Sequence, residues 1–140
     1  MKVFLDTNIL IDFISGRKPF VEDALVLFQL ADDKVLDLMV SDLTIINTVY
    51  ILRRLHYSME DVYGTLNDIR PLLTITSIGS TVIDRCLHSQ MPDFEDSVQY
   101  YSAQNAGADY IITRNKGDFP IDRVAVLTPK EFFNILNISL

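Results

Sequence analysis

Asp6, Asp93, Glu95, Asp96 and Asp118 are the residues of this chain whose type and placement could do chemistry. Asp6 follows the apolar run Val3-Phe4-Leu5 and opens the polar step Asp6-Thr7-Asn8. A carboxylate just past an apolar strand is poorly placed for a core and well placed for a divalent cation. Asp93 and Asp96 stand three apart in what reads as the first turn of a helix, so they share a face, and Asp118 lies just beyond Tyr110-Ile111-Ile112. If the strands leading to Asp6 and Asp118 are neighbours in one sheet, the acids converge on one cleft. Like charges there raise one another's pKa unless a cation lies between them. Convergence therefore predicts Mg2+ or Mn2+, which favour hard oxygen ligands. Such a site suits phosphoryl chemistry: one cation activates water for in-line attack, and a second, roughly 4 Å away, stabilises the leaving oxygen.

Each acid also has a purely structural reading. Acids in a helix's first turn gain roughly 0.3 to 1 kcal/mol each from the helix dipole, which covers Asp93, Glu95 and Asp96. Asp6 can cap a helix from Thr7 to Ile14, Asn8 can be a simple first-turn residue, and Asp118 can belong to an Asn-Lys-Gly-Asp turn. These readings explain the residues one at a time and leave their order along the chain unexplained.

The elements that must position them follow from periodicity. Val3 to Leu5 reads as a strand and Ile9 to Ile14 as a helix ended by the Gly16 to Pro19 break. Phe20, Ala24, Leu27, Phe28 and Ala31 fall at helical intervals, and Val35 to Val40 reads as a strand. Leu43 to Leu55 is apolar nearly all round and predicts a buried helix. Ser58 with Asp61 resembles a capping box for the next helix, which must stop before Pro71. Leu72 to Ile75 is a strand candidate, and Ser80 is placed to cap a helix through Val82, Ile83, Cys86 and Leu87. Asp93 to Ala106 reads as a helix ended by Gly107, Tyr110 to Ile112 and Val124 to Leu127 as strands, and Thr128-Pro129-Lys130-Glu131 as the capped start of a helix to Leu136. Strands separated by helical stretches imply crossover connections, hence an α/β fold with a mostly parallel sheet of about five strands and helices on both faces. Ligands in such sheets bind beyond the carboxyl ends of the strands, where strand order reverses, and Asp6 and Thr113 both lie at that edge.

Composition bounds the rest. The chain has 140 residues, 49% hydrophobic and 22% charged, without repeats or linkers, and reads as a single domain over 1–140. Its net charge of −7 argues against a broad basic face for nucleic acid but leaves room for a small site, since bound divalent cations reverse the local sign. The single cysteine, Cys86, cannot form an internal disulfide and falls on an apolar face. The apolar run Leu43 to Leu52 is about half the ~20 residues needed to span a bilayer, and no secretory segment precedes Val3. A cytoplasmic protein without a membrane span is expected. His56 and His88 have no acid or cysteine at ligand spacing and read as surface or capping residues. One of Tyr100 and Tyr101 reads as core rather than as a base-stacking platform.

Taken in order, Leu5-Asp6-Thr7-Asn8-Ile9-Leu10, Ser41 with Thr44, Asp93-Phe94-Glu95-Asp96 and Ile112-Thr113-Arg114-Asn115-Lys116-Gly117-Asp118-Phe119 resemble the PIN domain (PilT N-terminal domain) family, and are similar to the VapC-like ribonuclease toxins of toxin-antitoxin pairs. The resemblance covers essentially the whole chain. It implies a Rossmann-like sheet and Mg2+- or Mn2+-dependent endonucleolytic cleavage of RNA, often with a homodimer and an antitoxin partner. By position, Asp6, Asp96 and Asp118 match the family's catalytic, metal-binding acids, and Asp93 is an additional ligand candidate. Asn8 and Thr113 match polar residues that line the site, with Asn47 and Asn115 beside them. Arg114 and Lys116 flank the expected metal edge and are the candidates for guiding the phosphate backbone; Arg53 and Arg54 could do so or merely decorate a helix end. One departure stands out: the family usually carries a Glu six residues after the Ser found here at Ser41, whereas this chain has Asn47, which offers a carbonyl oxygen but no charge. Asp93 is the candidate to compensate.

Two other functions fit the same residues. A PIN domain that binds RNA or a protein partner without cutting is consistent with Asn47 and the net acidity. A phosphatase of the haloacid-dehalogenase type would use Asp6 as nucleophile, but such enzymes normally repeat the Asp two residues on, where this chain has Asn8.

Overall fold

The computed structural model describes residues 1–117, 119–120 and 124–138. The elements run β1 (Lys2–Leu5), α1 (Thr7–Ser15), α2 (Val21–Asp32), β2 (Asp37–Ser41), α3 (Asp42–Arg54), α4 (Met59–Ile69), a 3-10 turn at Arg70–Leu72, β3 (Leu73–Thr76), α5 (Gly79–Ser89), α6 (Phe94–Asn105), β4 (Tyr110–Ile112), β5 (Ala125–Leu127) and α7 (Pro129–Ile135). The five strands form one all-parallel sheet in the order β3-β2-β1-β4-β5. Chain order therefore reverses between β1 and β4. Leu5 stands opposite Ile112, and the Asp6 N–H donates to the Ile112 carbonyl at 3.0 Å.

The strands are apolar on successive residues because both faces of the sheet are covered. Val3, Leu5, Leu38, Val40 and Ile112 enter a core with Ile9, Leu10, Ala24, Leu27, Phe28, Phe132 and Phe133 of α1, α2 and α7. Phe4, Met39 and Ile111, on alternating positions, pack instead against Tyr100 and Ala103 of α6. Helix α5 lies on α6 through Val82, Cys86 and Val98. Burying a side chain such as Leu10 or Leu27 contributes roughly 1.5 to 3 kcal/mol before entropy is counted.

Several sequence expectations shift by a residue or more. Helix α3 is not buried all round: Ile46 is 64% and Tyr50 58% exposed, and Leu55 beyond its end is also exposed. A run of apolar residues shows that a helix can be buried, not which flank a neighbour covers. Val35 is exposed, and β2 begins at Asp37. Ser80 does not cap α5, which starts one residue earlier at Gly79, with positive φ (69°), after Ile78 and without a side-chain cap. Ser58 does accept the Asp61 N–H. Cys86 and Tyr100 are buried, and His56 and His88 are exposed.

The start of α7 matches its sequence signal. The Thr128 hydroxyl accepts the Glu131 N–H, and the Glu131 carboxylate accepts the Thr128 N–H at 2.9 Å while the Lys116 ammonium sits at 2.9 Å. The Thr128 N–H, and then Lys116, hold the Glu131 carboxyl down at about 2. A carboxylate lowered on folding stabilises above its unfolded pKa and loses that contribution as pH falls towards its folded pKa. Glu131→Gln is therefore expected to lower the urea midpoint at neutral pH, and its difference from the parent to vanish as pH falls from about 4.5 to about 2.

Candidate active site

Asp6 sits between the end of β1 and the start of α1, where extended backbone (φ −69°, ψ 157°) makes it the helix N-cap. Its Oδ1 accepts the Thr7 N–H at 2.8 Å and its Oδ2 the Thr113 hydroxyl at 2.8 Å, with the Asn8 amide at 3.4 Å. Thr113 is fully buried at the end of β4, and its oxygen also accepts from the Asn115 N–H (3.2 Å) and from the Asn8 amide (3.3 Å). The β1/β4 pairing thus places a hydroxyl donor directly against the Asp6 carboxylate. Burial nonetheless pushes the Asp6 pKa up; the Thr113 and Thr7 donors pull it down and the nearby Asp93 charge pushes it up again.

Asp93 belongs to the same site through α6. It caps that helix by accepting the Asp96 N–H at 3.0 Å, which sets Glu95 and Asp96 in the first turn. Asp6, Thr7, Asn8, Asp93, Glu95 and Asp96 line one cleft of about 310 Å3, closed on its apolar side by Ile11 and Ile51. None of these lining residues is basic. Among the described residues no three acids, histidines or cysteines are drawn together into a finished cage. The donor set is nevertheless carboxylate oxygen on an open wall. That suits a small hard cation, which usually keeps several waters and rests on one or two carboxylates plus substrate phosphate.

Beneath the cleft lies a buried polar network. The Gln99 amide of α6 donates to Thr7 Oγ1 (2.9 Å) and Thr44 Oγ1 (2.7 Å), while its carbonyl oxygen accepts the Ser41 hydroxyl (3.0 Å). Thr7 and Thr44 also bond each other at 3.0 Å, and Ser41 caps α3 through the Thr44 N–H at 3.1 Å. Ser41, Thr44 and Gln99 have no exposed surface. One side chain therefore ties the starts of α1 and α3 to the helix that carries Asp93 and Asp96.

The PIN domain family model matches residues 2–117. The chain belongs to the PIN domain family. It is 25% identical over 139 residues to Ribonuclease VapC1 of Aquifex aeolicus (strain VF5), covering 94% of this chain and 92% of that protein. Its fold is similar to that of a toxin-antitoxin complex chain from Klebsiella pneumoniae (TM-score 0.66, 25% identity, 91% of this chain and 97% of that chain). FitAcB from Neisseria gonorrhoeae is similar in fold as well (TM-score 0.70, 19% identity, 91% and 98%).

Of the site residues expected from sequence, this PIN domain brings Asp6, Asn8, Asp93 and Asp96 to one cleft, with Thr113 behind Asp6. Asp118 lies outside the described residues. Asn47 reaches the rim and donates to Glu95 at 3.1 Å, and Asn115 is exposed with its carboxamide oxygen on the Gly117 N–H at 3.1 Å. Arg114 and Lys116 are each held elsewhere: Lys116 by Glu131, and Arg114 by Asp12 at 2.6 Å, with its guanidinium 4.0 Å from the Phe20 ring centroid. Arg53 and Arg54 are exposed at the end of α3, Arg54 lying over Tyr50.

Sequence reasoning missed Gln99 and Asp12, and it named Glu95 among the acids without giving it a place in the site. Gln99 stands three residues after Asp96 on the same helix face, and Asp12 stands four after Asn8 as the one acid of an apolar run. Asp12 is 1% exposed, and burial raises its pKa against the pull of Arg114. Breaking a buried pair from one side strands the other charge, so Arg114→Met should cost about 3 to 5 kcal/mol in a urea titration. The double replacement Asp12→Leu with Arg114→Met should recover most of that loss.

Proposed function

We propose that this PIN domain is a divalent-metal-dependent endoribonuclease, the toxin of a toxin-antitoxin pair, that hydrolyses RNA phosphodiesters. The observation that carries this reading is the acidic cleft at the β1/β4 switch point, where Asp93 acts on a half-buried Asp6 carboxylate fixed by Thr7 and Thr113. The Aquifex relative is named a ribonuclease, and the Klebsiella relative is part of a toxin-antitoxin complex; both support the reading.

Asp6, Asp93, Asp96 and Asp118 would hold the cation, Mg2+ or Mn2+. When bound, such an ion activates water and neutralises charge on the scissile phosphate. The chain's own residues do the positioning. Thr113 and the Thr7 N–H fix the two oxygens of Asp6, the Asn8 amide spans Asp6 and Thr113, and the Gln99 network keeps the first turns of α1 and α6 at a set distance. Orientation of this kind is what converts bound substrate into reactive substrate. For Arg114 or Lys116 to meet the RNA backbone, each exchanges its carboxylate partner for phosphate.

The partners on this reading are RNA, an antitoxin protein and a second copy of the chain, which functions as one domain in the cytoplasm. No helix among the described residues is long and apolar enough to cross a membrane.

Cleavage of a mixed RNA substrate with Mn2+ or Mg2+ tests this, against EDTA and an Asp96→Asn protein purified in parallel. EDTA should abolish turnover, and Asp96→Asn should lower it by about 100-fold or more. Folded parent protein that cuts none of several RNAs would overturn the reading in favour of a binding module without catalysis.

A further inference from the structure

Position 47, which lacks the acid that the family resemblance expects, makes a specific contact. The Asn47 amide of α3 crosses to α6 and donates to Glu95 Oε1 at 3.1 Å. An ionised carboxylate only accepts hydrogen bonds, so Asn47 must present its NH2 group and turn its carbonyl oxygen away. A neutral donor that grips one oxygen of a carboxylate leaves the charge in place and restricts the rotamers of an otherwise exposed, flexible side chain. Glu95 lines the same cleft as Asp6 and Asp96. Asp93, the N-cap acid at this end of α6, already has Oδ1 committed to the Asp96 N–H.

We propose that Asn47 is a positioning residue that holds Glu95 as an acidic member of the cation site, so that the charge absent from α3 is supplied from the first turn of α6. This rests on the metal-dependent reading above. The site then keeps its anionic count while exchanging which helix bears the acid and which the amide. Groups that orient a metal-site carboxylate typically change affinity by about 10- to 100-fold when removed, so the contact is large enough to measure directly.

Mn2+ binding to the full chain, followed by calorimetry and by the electron paramagnetic resonance signal of free Mn2+, tests this without relying on turnover. Melting temperatures of every variant serve as the folding control. Glu95→Gln and Asn47→Leu should each weaken binding by about 10-fold or more. Exchanging the pair, Asn47→Glu with Glu95→Gln, restores one acid and one amide donor across the same gap and should recover the parent affinity to within about 3-fold. A Glu95→Gln protein that binds Mn2+ like the parent, while Asp96→Asn does not, would overturn this proposal and leave the nuclease reading standing. A parent that binds no Mn2+, or binds it equally well as Asp96→Asn, would overturn both.

Discussion

A half-buried carboxylate at the carboxyl end of the central strand is the constraint on which the rest of this structure depends. Drawing even part of a carboxylate out of water is costly without partners, so donors fixed around Asp6 favour keeping it charged there. The parallel pairing of β1 with β4 supplies the Thr113 hydroxyl, and the turn from β1 into α1 supplies the Thr7 N–H and the positive end of a helix dipole. These donors offset the desolvation without cancelling it, since the Asp6 pKa stays raised. A carboxylate held this way is oriented and still short of positive charge.

The same logic explains why polar side chains sit under the cleft rather than aliphatic ones. Two helices, α1 and α3, begin side by side at the ends of β1 and β2, and each first turn brings a threonine hydroxyl into a space closed off from water. Gln99 satisfies both with one amide and takes the Ser41 hydroxyl on its carbonyl. A fully satisfied network of this kind specifies one arrangement where an apolar contact would tolerate sliding. Because Gln99 stands on the helix whose first turn bears Asp93 and Asp96, the network fixes the separation between those acids and Asp6. Rigidity below the site and acidity within it are thus linked through a single side chain.

Much of this was legible in the sequence because it is local. The strand-to-acid step at Asp6, the Thr128 to Glu131 box and the Asp93 to Asp96 turn each declare themselves within a few residues, and strand-helix alternation implied the parallel sheet that makes Asp6 and Thr113 neighbours. What was not legible needs partners distant in sequence. Gln99 reads as an ordinary helix residue until Thr7 and Thr44, 92 and 55 positions away, are seen against it. Arg114 looks like a free cation at the site edge until Asp12 and Phe20 claim it. The exposed flank of α3 at Ile46 and Tyr50 follows the same rule, since hydrophobicity states a preference and only packing decides where it is met.

The distribution of charge bears on how a protein of net charge −7 could take a polyanion at all. Among the described residues, three basic groups around the carboxyl edge of the sheet are paired: Arg114 with Asp12, Lys116 with Glu131, and Lys130 with Asp23 at 3.0 Å. They lock α1, α2, α7 and the segment after β4 together, so phosphate recruited by any of them would be exchanged for an existing carboxylate at little electrostatic gain. Among the described residues, the cleft wall carries acids and no basic residue. On the nuclease reading proposed above, electrostatic compensation of a phosphodiester at that wall would fall to divalent cations held by the carboxylates where the strand order reverses. On that reading, acidity, which from composition alone counts against nucleic-acid binding, would at this edge be the means of achieving it.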